Sequence, residues 1–89
     1  MGHLSLDDLD EILQEAAKLV VVGGTYRHYK GLTYTVLNVV IWEETDEPAV
    51  VYRADYDERL TFARSFVVWR ESVHVDGRSV PRFSLVAKS

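Results

Sequence analysis

The amino-acid sequence predicts a mainly β domain, a small antiparallel barrel preceded by one amphipathic α-helix. Three observations carry this prediction. Apolar residues recur at three-and-four spacing over residues 5–20, the spacing changes to two after Gly23-Gly24, and all fourteen valines lie at or beyond Val20. Valine and the other β-branched residues favour strands, and short strands separated by turn residues are typical of a small barrel. A chain of 89 residues forms one such domain.

The first element is the helix, which we place within residues 5–22. Ser5 is a suitable N-cap, and Asp7 and Asp8 suit the positive end of the helix dipole. One stripe of the helix is apolar and comprises Leu6, Leu9, Ile12, Leu13, Ala16, Leu19 and Val20. The opposite face is mostly acidic. We expect Gly23-Gly24 to end this segment, and residues 23–86 to form the β domain.

Six strands are predicted after the glycines, at residues 25–29, 34–42, 49–55, 60–64, 72–75 and 82–86. Lys30-Gly31 and Asp76-Gly77 predict turns. In the second strand Leu37, Val39 and Ile41 form a wholly apolar face, which we expect in the core. The other face of that strand is also largely apolar, so we expect the helix stripe to cover it. The covering helix can belong to the same chain or to a second copy.

Charge and composition exclude several classes of protein. Residues 1–22 hold five acidic side chains and one lysine, whereas the remaining residues hold nine acidic and nine basic side chains. The net charge of -4 does not favour nucleic acid as a partner, although a local basic face remains compatible with it. The absence of cysteine excludes disulfides and thiolate zinc sites. No apolar run is long enough to cross a bilayer and no signal-peptide pattern is present, which predicts a cytoplasmic protein without a membrane partner.

Four blocks of sequence carry a resemblance to a known family. They are YRHYKG at residues 26–31, YTVL at 34–37, VVYRA at 50–54 and VDGRSVPRF at 75–83. In this order they resemble the bacterial DUF1653 family of unknown function. The resemblance implies an SH3-like β-barrel over residues 23–84, and it implies no activity, cofactor or partner. Arg64 matches an arginine of the family pattern, whereas Ser65 stands where the family has a proline.

The YRHYKG block also supplies the candidate binding face. Strand alternation places Tyr26, His28 and Lys30 on one side and Arg27 and Tyr29 on the other. Three further side chains can reach the same face across the barrel: Arg53, Tyr56 and Arg64. An aromatic plane, an imidazole and cationic groups suit a phosphate, a carboxylate or a nucleobase. The alternative interpretation is that the tyrosines fill the barrel and that His28 and Lys30 are ordinary surface residues.

Two functional hypotheses follow from different parts of the chain. The first is a binding module that recognises a small anionic ligand, a peptide or single-stranded nucleic acid. The second is a structural or interaction protein that uses Leu6, Leu9, Leu13 and Ala16 to bind a protein partner or to form a homodimer. Packing of that stripe on its own barrel is an equally open interpretation, since a short chain needs every apolar contact.

An enzyme is the third hypothesis, and the sequence gives it little support. His28 paired with Lys30 or Tyr26 could act in RNA cleavage, but no nucleophile motif or phosphate-binding glycine loop is present. His74 and Asp76 lack the paired spacing of a metal site. We therefore predict no catalytic residues, no metal and no cofactor.

Overall fold

The protein is a mainly β domain with one N-terminal helix, as predicted. The computed structural model describes residues 4–88. Helix α1 spans Leu6–Ala17, and a single helical turn, α2, spans Phe66–Trp69. The seven strands are β1 (Thr25–His28), β2 (Thr33–Trp42), β3 (Glu47–Ala54), β4 (Thr61–Ser65), β5 (Ser72–Val75), β6 (Arg78–Pro81) and β7 (Phe83–Ala87). Neither helix in this part of the chain is long and apolar enough to span a membrane.

The strands form an open antiparallel sheet and a separate hairpin. The five-stranded sheet has the order β4-β3-β2-β1-β7, and β5 pairs with β6. Strands β1 to β4 therefore form a meander, and β7 returns to pair with β1. No closed barrel is found over residues 4–88, because β4 continues into α2 and the hairpin instead of pairing with β7.

Helix α1 begins where the sequence predicts and ends earlier. The Asp8 amide donates to Oγ of Ser5 at 3.1 Å, and the Ser5 amide donates back to the Asp8 carboxylate at 3.4 Å. This capping box satisfies free donors of the first turn. The helix ends at Ala17, so the prediction that it continues to Gly23-Gly24 is wrong. The glycines instead bond to β2, since the Gly23 amide donates to the Val36 carbonyl and the Val36 amide donates to the Gly24 carbonyl.

A β-bulge in β2 overturns part of the predicted core. The pairing of β2 with β3 shifts register between Val36 and Asn38. Such a bulge adds one residue to one strand, so the alternation of faces is interrupted there. Val36 and Val39 are consequently both buried, whereas Leu37 is 38% exposed. The prediction that Leu37 belongs to the core is wrong for this reason.

Helix α1 covers the same face of the sheet that carries the core. Ala16 and Val20 are buried in one cluster with Val36, Val39 and Val50, and Leu13 packs against it. The expectation of a second apolar face for the helix to cover is therefore wrong, because the bulge brings residues of both predicted faces of β2 into one core. The stripe packs on its own chain along the second half of α1. Its first residue, Leu6, is 85% exposed.

The structure contains two elements that the sequence did not predict, strand β6 and helix α2. Strand β6 pairs with β5 through a two-residue turn, in which Asp76 and Gly77 have φ values of 51° and 78°. Positive φ at both central positions matches the turns preferred in two-residue hairpins. Helix α2 is capped by Ser65, whose Oγ accepts from the Val68 amide at 3.2 Å. Its two valines favour a strand by propensity, which conceals the helical turn in the sequence.

Candidate functional site

Six side chains line a small cavity on the core face of the five-stranded sheet. The cavity has a volume of about 140 Å³ and is lined by His28, Tyr34, Tyr52, Phe62, Arg64 and Phe83. We call it the aromatic pocket. An apolar cavity of about 150 Å³ accommodates benzene, so the pocket is close in size to one small ring. Phe62 is part exposed at 39%, which places this side of the pocket at the protein surface.

Strand register brings these side chains together from five strands. His28 of β1 lies opposite Phe83 of β7, and Tyr52 of β3 lies opposite Phe62 of β4. Residues directly opposite each other in paired strands share a face of the sheet. Arg64 follows Phe62 by two positions, so it lies on that face as well. The pocket is therefore a product of strand pairing and not of one continuous motif.

The aromatic rings of the pocket rest on a buried floor. Phe83 stacks on Trp69, with ring centroids 3.8 Å apart and planes 9° apart. Tyr52 contacts Trp69 at 4.9 Å, Phe83 at 5.6 Å and Tyr34 at 5.3 Å between centroids. Trp69, Tyr52 and Phe83 are all buried. Because these rings support one another, the pocket has a rigid apolar base.

Arg64 is the cation of the pocket. Its Nε donates to Oη of Tyr52 at 3.3 Å, and its Cζ lies 5.7 Å from the centroid of the Phe83 ring. Over residues 4–88 no carboxylate lies within 4.0 Å of the guanidinium, and its two terminal nitrogens have no acceptor. A guanidinium presents a planar fork of donors that matches a carboxylate or a phosphate. Arg64 is thus half-buried against aromatic rings with donors to spare.

His28 is held in its neutral form at the edge of the pocket. Burial, followed by the charges of Arg64, Lys30 and Arg82, lowers the pKa of His28 from its ordinary value of 6.5. The Lys30 backbone amide donates to Nδ1 of His28 at 3.1 Å. A neutral imidazole that accepts at Nδ1 carries its proton on Nε2. His28 can therefore offer one hydrogen-bond donor without adding a charge.

Tyr34 and Tyr56 form a hydroxyl pair beside the pocket. Their Oη atoms lie 3.2 Å apart, and their rings meet edge to face at 5.7 Å. The hydrogen bond with Tyr56, together with burial, raises the pKa of Tyr34 to about 12. The Tyr34 hydroxyl consequently remains protonated and uncharged at neutral pH. It adds polarity to this side of the pocket without adding negative charge.

Comparison with known proteins identifies the family of this chain. A family model described as a protein of unknown function (DUF1653) matches residues 24–85. The chain belongs to this family. It is also similar to a crystal structure of a DUF1653 protein from Bordetella bronchiseptica, with 37% identity and a TM-score of 0.66. That match covers 73% of this chain and 86% of the Bordetella chain. No curated protein matches the chain.

The DUF1653 segment contains the whole aromatic pocket. All six lining residues fall between residues 24 and 85, as does Trp69 beneath them. Helix α1 precedes the segment. The pocket therefore lies within the matched segment, and α1 lies outside it.

The structure brings only some of the candidate residues predicted from the sequence to the aromatic pocket. His28 and Arg64 line it, and Tyr56 contacts it through Tyr34. Tyr26 is instead buried in the core, where its hydroxyl accepts from the Val21 amide at 2.9 Å. Its position supports the packing interpretation of that tyrosine.

The remaining candidates lie away from the pocket. Arg27 lies opposite Thr33 and Arg53 opposite Thr35, which places both on the other face of the sheet. Tyr29 is part exposed, and the Lys30 ammonium lies 5.8 Å from the centroid of its ring. Over residues 4–88 no hydrogen bond joins the His28 side chain to the Lys30 ammonium or to Tyr26, the pairs considered for RNA cleavage.

Sequence reasoning did not assign the aromatic lining. Tyr34, Tyr52, Phe62 and Phe83 lie on four different strands, and no motif links them. The available signal in the sequence is that each of these four strands carries at least one aromatic side chain. Among residues 4–88 there is also no group of three histidine, aspartate or glutamate side chains that could hold a metal ion.

The lowered pKa of His28 predicts a pH dependence of stability. Between the folded pKa and the unfolded value of 6.5, the unfolded chain binds more protons at this site. We therefore expect the free energy of unfolding to fall as the pH decreases from 6.5 towards the folded pKa of His28. Above pH 6.5 His28 is neutral in both states, and the full free energy of unfolding is retained. Urea denaturation at a series of pH values measures the slope. We expect His28→Gln to reduce the slope of the free energy of unfolding against pH. His74→Gln, which alters an exposed histidine on β5, serves as the control. Equal slopes in the two variants would contradict the assignment.

Proposed function

We propose that this domain is a binding module whose aromatic pocket takes one small planar group bearing a carboxylate or a similar anion. The observation that carries the proposal is the Arg64 guanidinium, which lies against the pocket aromatics without a carboxylate partner in the described residues. In this arrangement the anion bonds to the guanidinium, and the ring packs on the apolar base.

Three features of the pocket support an anionic ligand over a cationic one. Arg64 supplies a fixed positive charge, since an arginine keeps its proton in proteins. The neutral His28 supplies a donor. The Tyr34 hydroxyl, whose pKa is raised to about 12, supplies no negative charge. A cation in the same place would meet the charge of Arg64 with no compensating carboxylate.

The same features favour a small ligand over single-stranded nucleic acid. Nucleic-acid grooves combine stacking rings with a basic track along the phosphates. Here Arg64 is the basic side chain of the pocket, and the acidic run over residues 43–47 spans the connection after β2 and the first residue of β3. The pocket provides stacking for one ring and a partner for one anion. A single-stranded RNA is therefore the competing ligand in the test.

Titration of isotope-labelled protein, followed by amide chemical shifts, tests the proposal. Benzoate is the probe. Three matched compounds are the controls: benzamide lacks the charge, benzylamine carries the opposite charge, and acetate lacks the ring. We expect benzoate to shift the amides of His28, Phe62, Arg64 and Phe83 at lower concentration than the other three. A response to benzylamine equal to that to benzoate would contradict an anion site, as would an absence of pocket shifts. Pocket shifts with a short single-stranded RNA and none with benzoate would assign the pocket to nucleic acid.

A further inference from the structure

A second concave surface lies along helix α1, away from the aromatic pocket. It is a groove of about 550 Å³ between α1, Pro48 of β3 and Phe66 of α2. None of its lining residues belongs to the aromatic pocket. It is also independent of the proposed function, because a ligand in the pocket does not need it.

The groove follows the axis of the helix. Asp8, Ile12, Glu15 and Leu19 line it at spacings of four, three and four residues, which places them along one side of the helical segment. Helix α1 has 12 residues and is therefore about 18 Å long. The groove is thus elongated, in the shape that a helix or an extended segment of a partner would fill.

The lining combines apolar side chains with acidic ones. Ile12 and Phe66 are half-buried, and Leu19 is 54% exposed. The charged lining consists of Asp8, Glu11 and Glu15. The Arg70 guanidinium lies 5.7 Å from the centroid of the Phe66 ring, outside the lining, so the lining itself is acidic over the described part of the chain. Glu15 has an ion pair with Lys18 at 3.0 Å, but both side chains are about two-thirds exposed, and such surface pairs contribute little.

Charge decides between the two possible occupants. A second copy would bring the same acidic helix against itself, since residues 1–22 hold five acidic side chains and one lysine. Like charges facing each other across an interface oppose association. A basic amphipathic helix instead offers apolar residues for the groove and cations for its acidic lining.

We propose that the groove between α1 and Phe66 binds a basic amphipathic helical segment of a partner protein. The apolar face of that segment packs on Ile12, Leu19 and Phe66. Its lysine or arginine side chains pair with Glu11, Glu15 and Asp8. The aromatic pocket remains free in this complex, so the two sites act separately.

Titration with two synthetic helical peptides tests this surface. One peptide consists of leucine and lysine at amphipathic spacing, and the other has glutamate in place of each lysine. We expect the leucine-lysine peptide to shift the amides of Ile12, Leu19 and Phe66, with an affinity that falls as salt is added. The leucine-glutamate peptide produces no such shifts. Shifts with both peptides, or shifts that do not include these amides, would overturn the proposal.

Two matched double variants separate the groove from general charge attraction. Glu11→Gln/Glu15→Gln removes two charges from the groove, and Glu43→Gln/Glu44→Gln removes two from the exposed connection after β2. We expect the first variant to weaken binding of the leucine-lysine peptide by roughly threefold to tenfold, because two exposed ion pairs with the peptide are lost and each contributes modestly. We expect the Glu43→Gln/Glu44→Gln variant to bind the leucine-lysine peptide as the wild type does. Equal weakening by both variants, or a stable dimer of the wild-type chain by sedimentation, would refute the assignment of the groove to a basic partner.

Discussion

Replacement of Trp69 with alanine is expected to lower the free energy of unfolding by about 3–5 kcal/mol. Trp69 is 3% exposed and stacks on Phe83, and its ring also contacts Tyr26 at 5.3 Å and Tyr52 at 4.9 Å. Removing the indole leaves a cavity that the surrounding rings can fill only in part. Small domains are stable by about 5–15 kcal/mol, so this variant loses a large share of its stability.

The second tryptophan of the chain is the matched control. Trp42 lies at the end of β2 and is 51% exposed, so Trp42→Ala removes the same side chain from a position with little packing. Urea denaturation followed by circular dichroism measures both variants. Trp69→Phe keeps a ring in the core and is expected to fall between Trp69→Ala and the wild type. If the two alanine variants were equally stable, Trp69 would not be the centre of the core.

Replacement of Arg64 with glutamine is expected to weaken benzoate binding by roughly 10- to 100-fold. A hydrogen bond to a charged group contributes about 1.5–3 kcal/mol, and each 1.4 kcal/mol corresponds to a factor of about ten. Glutamine retains hydrogen-bonding capacity and loses the charge, so the variant isolates the electrostatic contribution. Amide shifts during a benzoate titration measure the change.

Two further variants show whether the loss belongs to the pocket. Arg78→Gln removes the same charge from an exposed position on β6 and is expected to retain benzoate binding. Arg64→Lys keeps the charge without the planar fork and is expected to recover part of the affinity. Circular dichroism confirms that each variant is folded. Equal loss in Arg64→Gln and Arg78→Gln would mean that benzoate responds to net charge and not to this pocket.

Stability and the proposed binding depend on overlapping residues in this domain. Tyr52 and Phe83 belong both to the core cluster and to the lining of the aromatic pocket. A binding site built on core residues is held in place by packing, which reduces the cost of ordering it when a ligand binds. The groove along α1 shares none of these residues, so variants in one site leave the other available as an internal control.

Local sequence patterns predicted most elements of the fold. The predicted N-cap at Ser5 and the predicted Asp76-Gly77 turn both form, because a cap and a two-residue turn depend on a few neighbouring residues. The β2 strand begins and ends within one residue of its predicted bounds. Helix α2 could not be predicted in the same way, since four residues that include two valines do not show helical periodicity.

The sequence by itself determined the order of the N-terminal helix and of every strand except β6, and it placed His28 and Arg64 among the candidate site residues. Only the tertiary structure decided which face each residue occupies. The bulge after Val36 exposes Leu37 and brings Val36 into the same core as Val39, because one extra residue interrupts the alternation of the strand. The aromatic pocket likewise depends on register, since its side chains come from five strands and meet through pairing between residues far apart in the sequence.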